Sequence, residues 1–574
     1  MLSDFIFNFK FLLNKKDKLK ITFLLFNHVI NIFLDVLSIA SVPAILIFIL
    51  NKNEIEIEIS FISKIVEYGV ELIHSQSLTI LLLLILVFFT IKTLLKIIYA
   101  YHITKFALDL TVNLSGKIIE RKLSRSYLDF LKNNFSKFLN LMTAIVEDFV
   151  QGNFMISYNI IINIFTLIFY LIFLLIISFI TTISLILMAI IAFTIYYFVT
   201  KKKFIFFGKH KLILLEKTIS NIKDIFNSFK EIKVYGVENF FYKRFVETKK
   251  KWALNKLKFN FIAILPNLLK ELGLILFILI IIVISLILKI EIEYIVVNIS
   301  IFLVAALKIF PIVINLLKNV SKINYTKKTQ SILIEELSKK TQIASGNKAI
   351  KFENSIILKD VSYSYNDEKI ILENINLKIN KGSFIGIRGE SGEGKSTLVH
   401  IIMGLLNPRK GKIFIDNFNM SNGLNNHLSK LISYVPQKVT IINDSLRNNL
   451  LFGNDSAKIT DKEILEVLEK VKLESIVYDH PKKLDTIIGE TTIRASEGET
   501  QRFGIARALL QNREILILDE ITSSLDEKNE INIMKVIKNL SKNSTIIMIS
   551  HKSSTLDFSD QIYELKDKEL QKIN

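Results

Sequence analysis

The chain of 574 residues contains no cysteine, which excludes disulfide scaffolds, thiolate metal sites and a cysteine nucleophile. Tryptophan occurs once and proline six times, against 43 phenylalanines. The most telling absence is local: residues 149–200 carry no charged side chain at all. A membrane-crossing helix needs ~20 mostly apolar residues, so this run is long enough for two spans joined by a turn near Ser178–Thr182. A buried soluble core rarely holds an uncharged run of that length. The formal net charge is +19, yet residues 1–330 hold 39 Lys and Arg against 21 Asp and Glu, whereas residues 331–574 hold 34 against 33. The basic surplus belongs to the apolar half, which disfavours a general nucleic-acid-binding protein.

Four further apolar stretches, Ile21–Leu50, Leu78–Tyr101, Phe259–Leu288 and Ile295–Leu317, bring the expected spans to six. Lys10, Lys15, Lys16, Lys18 and Lys20 precede the first span, and Lys201-Lys202-Lys203 follow the fourth. The segment after span one instead carries Glu54, Glu56, Glu58, Glu67 and Glu71. Basic loops stay cytoplasmic, so both ends of this half are expected inside, at a bacterial inner membrane. A lysine-rich start leading into a full-length span, with no small-residue cleavage pattern, reads as no cleavable signal. The connections around residues 102–148 and 201–258 are amphipathic, as in Leu123–Leu141 and Ile219–Phe245, so spans two to five are expected to continue into the cytoplasm as helices.

Beyond Ala344-Ser345-Gly346-Asn347 the composition becomes that of an α/β domain. The expected organisation is a six-helix transmembrane domain over 1–330, a linker over 331–350 and an ATP-binding domain over 351–574. Phe384–Arg388 reads as a buried strand running into Gly389-Glu390-Ser391-Gly392-Glu393-Gly394-Lys395-Ser396-Thr397, a match to G-x-x-x-x-G-K-[ST]. Such a loop turns backbone N–H groups toward phosphate oxygens; its lysine reaches the β/γ-phosphates and Ser396 completes Mg²⁺ coordination. Glu514–Glu520 reads as a second buried strand ending in two acids. Asp519 suits Mg²⁺, and Glu520 suits the polarisation of an attacking water.

These and the remaining motifs resemble the nucleotide-binding domain of ABC transporters. Tyr365 stands where that family stacks an aromatic ring on adenine. Tyr434-Val435-Pro436-Gln437 resembles the Q-loop, whose Gln437 would contact Mg²⁺. Ser523-Ser524-Leu525-Asp526 resembles the D-loop, and His551 the switch histidine that contacts the γ-phosphate. Gly489-Glu490 stands just ahead of the signature, where exporters of the family touch their coupling helices. The signature itself departs from Leu-Ser-Gly-Gly-Gln: here it is Ala495-Ser496-Glu497-Gly498-Glu499. Ser496 and Gly498 remain to serve the γ-phosphate of ATP on a partner subunit, while Glu497 brings a carboxylate where glycine is usual. The resemblance implies ATP and Mg²⁺ as cofactors, Glu520, His551 and Gln437 as the catalytic set, and a half-transporter that works as a homodimer.

The order of membrane domain before ATPase is similar to exporters, most of all to flippases of lipid-linked oligosaccharides. Pro266–Gly273 resembles their entry to span five, and Phe229–Gly236 their second coupling region. Glu54–His74 has the spacing of an external amphipathic helix, either guiding a lipid tail or capping the spans. Asp35, Lys92, Lys96, Lys270, Glu271 and Lys308 are charges within the spans; the basic ones either face a central cavity and bind a pyrophosphate head group, or snorkel or lie in cytoplasmic extensions. The expected function is ATP-driven movement of an amphipathic lipid-linked substrate. Export of another lipid, peptide or drug, and a regulatory ATPase, are the alternatives.

Overall fold

The computed structural model describes residues 13–49, 78–132, 134–177, 179–287, 292–339, 351–365, 369–420, 428–454, 459–489, 495–522, 526–541 and 543–573. The expected external helix Glu54–His74, residue Glu490, and Ser523, Ser524 and Leu525 lie outside these residues. The chain divides into two units, one of residues 1–123 and 133–340, the other of 124–132 and 341–574.

The first unit is helical. Its long apolar helices are α1 (Lys15–Ile49), α2 (Leu78–Leu123), then, beyond the second unit's short α3 (Tyr127–Leu131), α4 (Met155–Ile177), α5 (Phe179–Asn227), α7 (Glu238–Leu268), α8 (Lys270–Ile287) and α9 (Ile292–Ser338), with a short α6 (Phe229–Tyr235) between α5 and α7. Among the described residues three stretches are long and apolar enough to cross a membrane: Ile85–Leu123, Phe135–Ile172 and Glu238–Ile280. With only water-free hydrocarbon around it, such a segment satisfies its backbone internally as a helix. Helices α2 and α5 run far past their apolar stretches, as the amphipathic connections predict.

Three expectations differ from the structure. Of the turn expected near Ser178–Thr182, residues Phe179–Thr182 are helical, within α5, and Ser178 lies outside the described residues. The segment Ile219–Phe245 is three helices, because Gly236 adopts the left-handed conformation (φ 64°) that closes α6. Helix α9 continues to Ser338, into the segment expected as linker. In addition, Leu141–Ile145 and Val150–Phe154 are π turns. The Thr326 hydroxyl of α9 donates to the carbonyl of Gly152 at 2.7 Å, satisfying backbone that the wider turn frees.

In the second unit, β1 (Ser355–Ser364), β2 (Ile370–Asn380), β4 (Lys410–Ile415) and β5 (Phe418–Asn419) form an antiparallel sheet in the order β2-β1-β4-β5. A six-stranded sheet has the order β12-β11-β3-β10-β9-β6. Its strands are β3 (Phe384–Arg388), β6 (Ile432–Val435), β9 (Ile515–Asp519), β10 (Thr545–Ile549), β11 (Gln561–Lys566) and the antiparallel edge β12 (Glu569–Lys572), with the two-residue β7 and β8 elsewhere. All five residues of β9 and of β10 are buried, the continuous apolar pattern of strands covered on both faces. Because β3, β10, β9 and β6 are parallel, their C-terminal ends share one edge, where ligands bind in open α/β sheets. Residues 124–132 are interrupted in sequence from this unit yet belong to it: Tyr127 and Leu128 pack on its core, Tyr127 lying edge-on to His400 with ring centroids 5.2 Å apart.

Candidate functional site

Strand β3 delivers the chain to Gly389, where a Cβ would stand 2.5 Å from the Leu565 carbonyl oxygen, so only glycine fits. Gly394 (φ 104°) likewise requires glycine and opens α10 (Lys395–Ile402). Between them Glu390, Ser391, Gly392 and Glu393 make the loop, its N–H groups gathered at a helix N-terminus. Lys395 is buried and folds back, donating to the carbonyls of Gly389 at 2.8 Å and Glu390 at 2.7 Å. Burial lowers its ammonium below the usual lysine range, against the opposing pull of Glu520, Asp519 and Glu393. Ser396 is exposed at the helix start, and Thr397 lies buried with its hydroxyl 3.4 Å from that of Tyr365. Tyr365 therefore borders the loop, edge-on to Tyr363 at 5.1 Å.

Asp519 and Glu520 end β9 on the same sheet edge. Burial, then the charge of Glu520, pushes the Asp519 carboxyl up, although the Tyr434 hydroxyl donates to it at 3.2 Å. The same burial and the Asp519 charge push the Tyr434 phenol up. Glu520 adopts a left-handed backbone (φ 50°), strained for a non-glycine residue, and its N–H donates to the Ile549 carbonyl at 3.0 Å. Its carboxylate is shared: the Gln437 Nε2 donates to one oxygen at 2.6 Å, and His551 Nε2 lies 3.0 Å from the other. Three residues separated by 83 and 31 positions thus meet at one carboxylate, as they must to act on one water.

Ser496 and Gly498 stand apart: no hydrogen bond joins them to the phosphate loop among the described residues. Ser496 is instead the N-cap of α11 (Glu497–Gln511), in a capping box with Glu499, whose carboxylate accepts the Ser496 N–H and hydroxyl, each at 2.8 Å. Glu499 thus has a structural reason to stand in the signature. Asp526 caps α12 (Glu527–Leu540); the Asn529 side chain donates to it at 2.6 Å and holds its carboxyl low.

Sequence reasoning missed three neighbours. The buried Gln501 donates to the Gln437 carbonyl, tying the signature helix to the Q-loop. Tyr434 braces Asp519. Lys552 anchors the turn after His551 through the buried Glu530 at 2.5 Å. None carries a spacing signal, because each partner is distant in sequence.

Residues fit for ATP with Mg²⁺ are present: a loop of convergent N–H groups, a hydroxyl at Ser396, a carboxamide oxygen at Gln437 and a carboxylate at Asp519. No group of three or more His, Asp or Glu side chains able to hold a metal occurs among the described residues.

Comparison with known proteins agrees with this edge chemistry. Residues 372–523 match the family model described as "ABC transporter". Over these residues the chain is similar to ABC transporters. An ATP-dependent lipid A-core flippase of Desulfotalea psychrophila is 39% identical over 215 residues, 38% of this chain and 37% of that protein. A putative export ATP-binding/permease protein of Rickettsia prowazekii is 38% identical over 210 residues, 36% of each chain. A putative multidrug export ATP-binding/permease protein of Staphylococcus aureus is 36% identical over 216 residues, 38% of this chain and 37% of that one. Each match spans little more than a third of the relative's own length. A bacterial Atm1-family ABC exporter solved with ATP bound covers 97% of this chain and 94% of its own, with a TM-score of 0.78 at 19% identity. The whole chain therefore has the ABC exporter fold, a multi-pass helical unit fused to an ABC domain.

Proposed function

We propose that this chain is one half of an ATP-driven exporter, moving an amphipathic, lipid-linked substrate across a bacterial inner membrane with its ABC domain in the cytoplasm. The observation that carries the reading is the Glu520 carboxylate, held between Gln437 and His551 at the end of β9 beside the phosphate-binding loop. In this reading the loop 389–397 binds the triphosphate, and Lys395 exchanges its carbonyl acceptors for phosphate oxygens. Tyr365 borders the base. Ser396, Asp519 and the oxygen of Gln437 would hold Mg²⁺, which would supply charge neutralisation at the phosphates. Glu520 takes a proton from the attacking water, and His551 orients it toward the γ-phosphate. Ser496 and Gly498 serve the loop of a second copy, so the working unit is a homodimer; Ser496, already the N-cap of α11, is consistent with that role. Asp526 caps the helix that follows the D-loop.

Lipid-linked cargo rests on the amphipathic character of the apolar half and on relatives named lipid A-core flippase. A relative named for multidrug export keeps a hydrophobic drug as the second reading. The deciding experiment is ATP hydrolysis by the full chain in lipid, wild type beside Glu520→Gln, with and without lipid-linked oligosaccharide. Glu520-dependent hydrolysis stimulated by that lipid supports the flippase. Hydrolysis without stimulation moves the cargo to another class, and no Glu520-dependent hydrolysis overturns active transport.

A further inference from the structure

Strand β10 delivers the chain to Ser550, His551 and Lys552 at the sheet edge that also carries Glu520. Among the described residues the His551 imidazole makes its polar contact with that carboxylate. With 44% of the imidazole side chain exposed, its aim depends on how firmly the backbone around it is held. Both neighbours are held. Ser550 and Thr555 are buried, their hydroxyls 2.6 Å apart. The Lys552 N–H donates to the Ser550 hydroxyl at 3.0 Å, and the Thr555 hydroxyl donates to the Lys552 carbonyl at 2.8 Å.

The Lys552 side chain reaches further. Its ammonium donates to the Thr522 carbonyl at 3.1 Å and to one Glu530 oxygen at 2.5 Å. The Ser554 hydroxyl donates to the other Glu530 oxygen at 2.9 Å. Glu530 lies in the first turn of α12 with its side chain 7% exposed. A carboxylate so buried needs a compensating charge, which Lys552 supplies. Compensation alone does not require the second bond, to Thr522. That residue stands two past Glu520 and directly ahead of Ser523–Asp526, the stretch that resembles the D-loop. Lys552 stands one past His551. The loops carrying Glu520 and His551 are therefore joined twice, by the imidazole–carboxylate contact and by the ammonium–carbonyl bond. A single contact lets the imidazole swing about it, whereas two ties set its distance and direction.

We propose that Lys552 is a positioning residue for ATP hydrolysis, aiming His551 at Glu520 and tying that aim to the segment leading into Ser523–Asp526. The role rests on the transport reading and deepens it. With its ammonium occupied by Thr522 and Glu530, Lys552 acts on the reaction through His551, so it sets the rate and leaves nucleotide affinity to the phosphate loop.

The test compares wild type, Lys552→Met and Lys552→Arg full chains in lipid, reading ATP hydrolysis and the affinity for a fluorescent nucleotide. Lys552→Met lowers kcat about tenfold with KM and nucleotide affinity within about twofold, and Lys552→Arg restores most of the rate. Because Lys552→Met strands the Glu530 carboxylate, its Tm falls; adding Glu530→Gln removes the buried charge and recovers Tm without recovering kcat. In a His551→Ala background Lys552→Met costs nothing further, since the side chain it aims is gone. Loss of affinity matching the loss of kcat, recovery of kcat together with Tm, or full additivity with His551→Ala overturns the inference. Hydrolysis that depends on Glu520 but not on Lys552 overturns this inference alone. No Glu520-dependent hydrolysis in the wild type overturns the transport reading beneath it.

Discussion

Asp519 ends a strand whose side chains are all buried, and burial together with Glu520 raises its carboxyl above the usual range. A raised acid stabilises the fold below its unfolded value and loses that contribution as pH rises through the folded value. Asp519→Asn is therefore expected to stabilise the protein at neutral pH by about 1 kcal/mol while removing Mg²⁺-dependent hydrolysis. Thermal unfolding at pH 8 and pH 5 checks it: the gap to wild type should narrow at the acid end. Lys395 makes a contrasting case, since its ammonium is satisfied by two carbonyls without nucleotide. Lys395→Met should fold normally yet weaken ATP binding by about tenfold or more, measured by titration with a fluorescent nucleotide.

At the scale of elements, the altered signature separates into two effects. Glu499 closes a capping box at the start of α11. Glu499→Ala should destabilise the protein by about 1 kcal/mol, whereas Glu499→Gln, able to make the same bonds, should stay within about 0.5 kcal/mol in chemical denaturation. Glu497 takes no part in that box, so Glu497→Gly should alter ATP turnover with little change in stability. In the helical unit, a Cβ on Gly208 of α5 would stand 1.8 Å from the Tyr325 carbonyl oxygen of α9. Gly208→Ala should force these helices apart and cost about 1–3 kcal/mol, seen as a lowered Tm.

At the scale of the whole molecule, no hydrogen bond joins the phosphate loop to the signature helix among the described residues. If each ATP site takes its loop from one copy and its signature from another, Lys395→Met and Ser496→Arg proteins should each be inactive alone. Reconstituted together they should regain hydrolysis, because a mixed pair holds one complete site. No activity in the mixture would argue for a site built within a single copy.

The six apolar stretches, the phosphate loop and the paired acids were legible in the sequence because each is local: hydrophobic runs, glycines at required turns, and a buried strand ending in charge. His551 and Gln437 were legible only through family resemblance, as no spacing links them to Glu520. The structure alone decided that they share its carboxylate, that Gln501 and Tyr434 brace them, and that Asp35 joins two lysines on another helix. The physical reason is the same each time. Local sequence sets backbone conformation, whereas a contact across tens of residues exists only once sheet order and helix packing bring the side chains together.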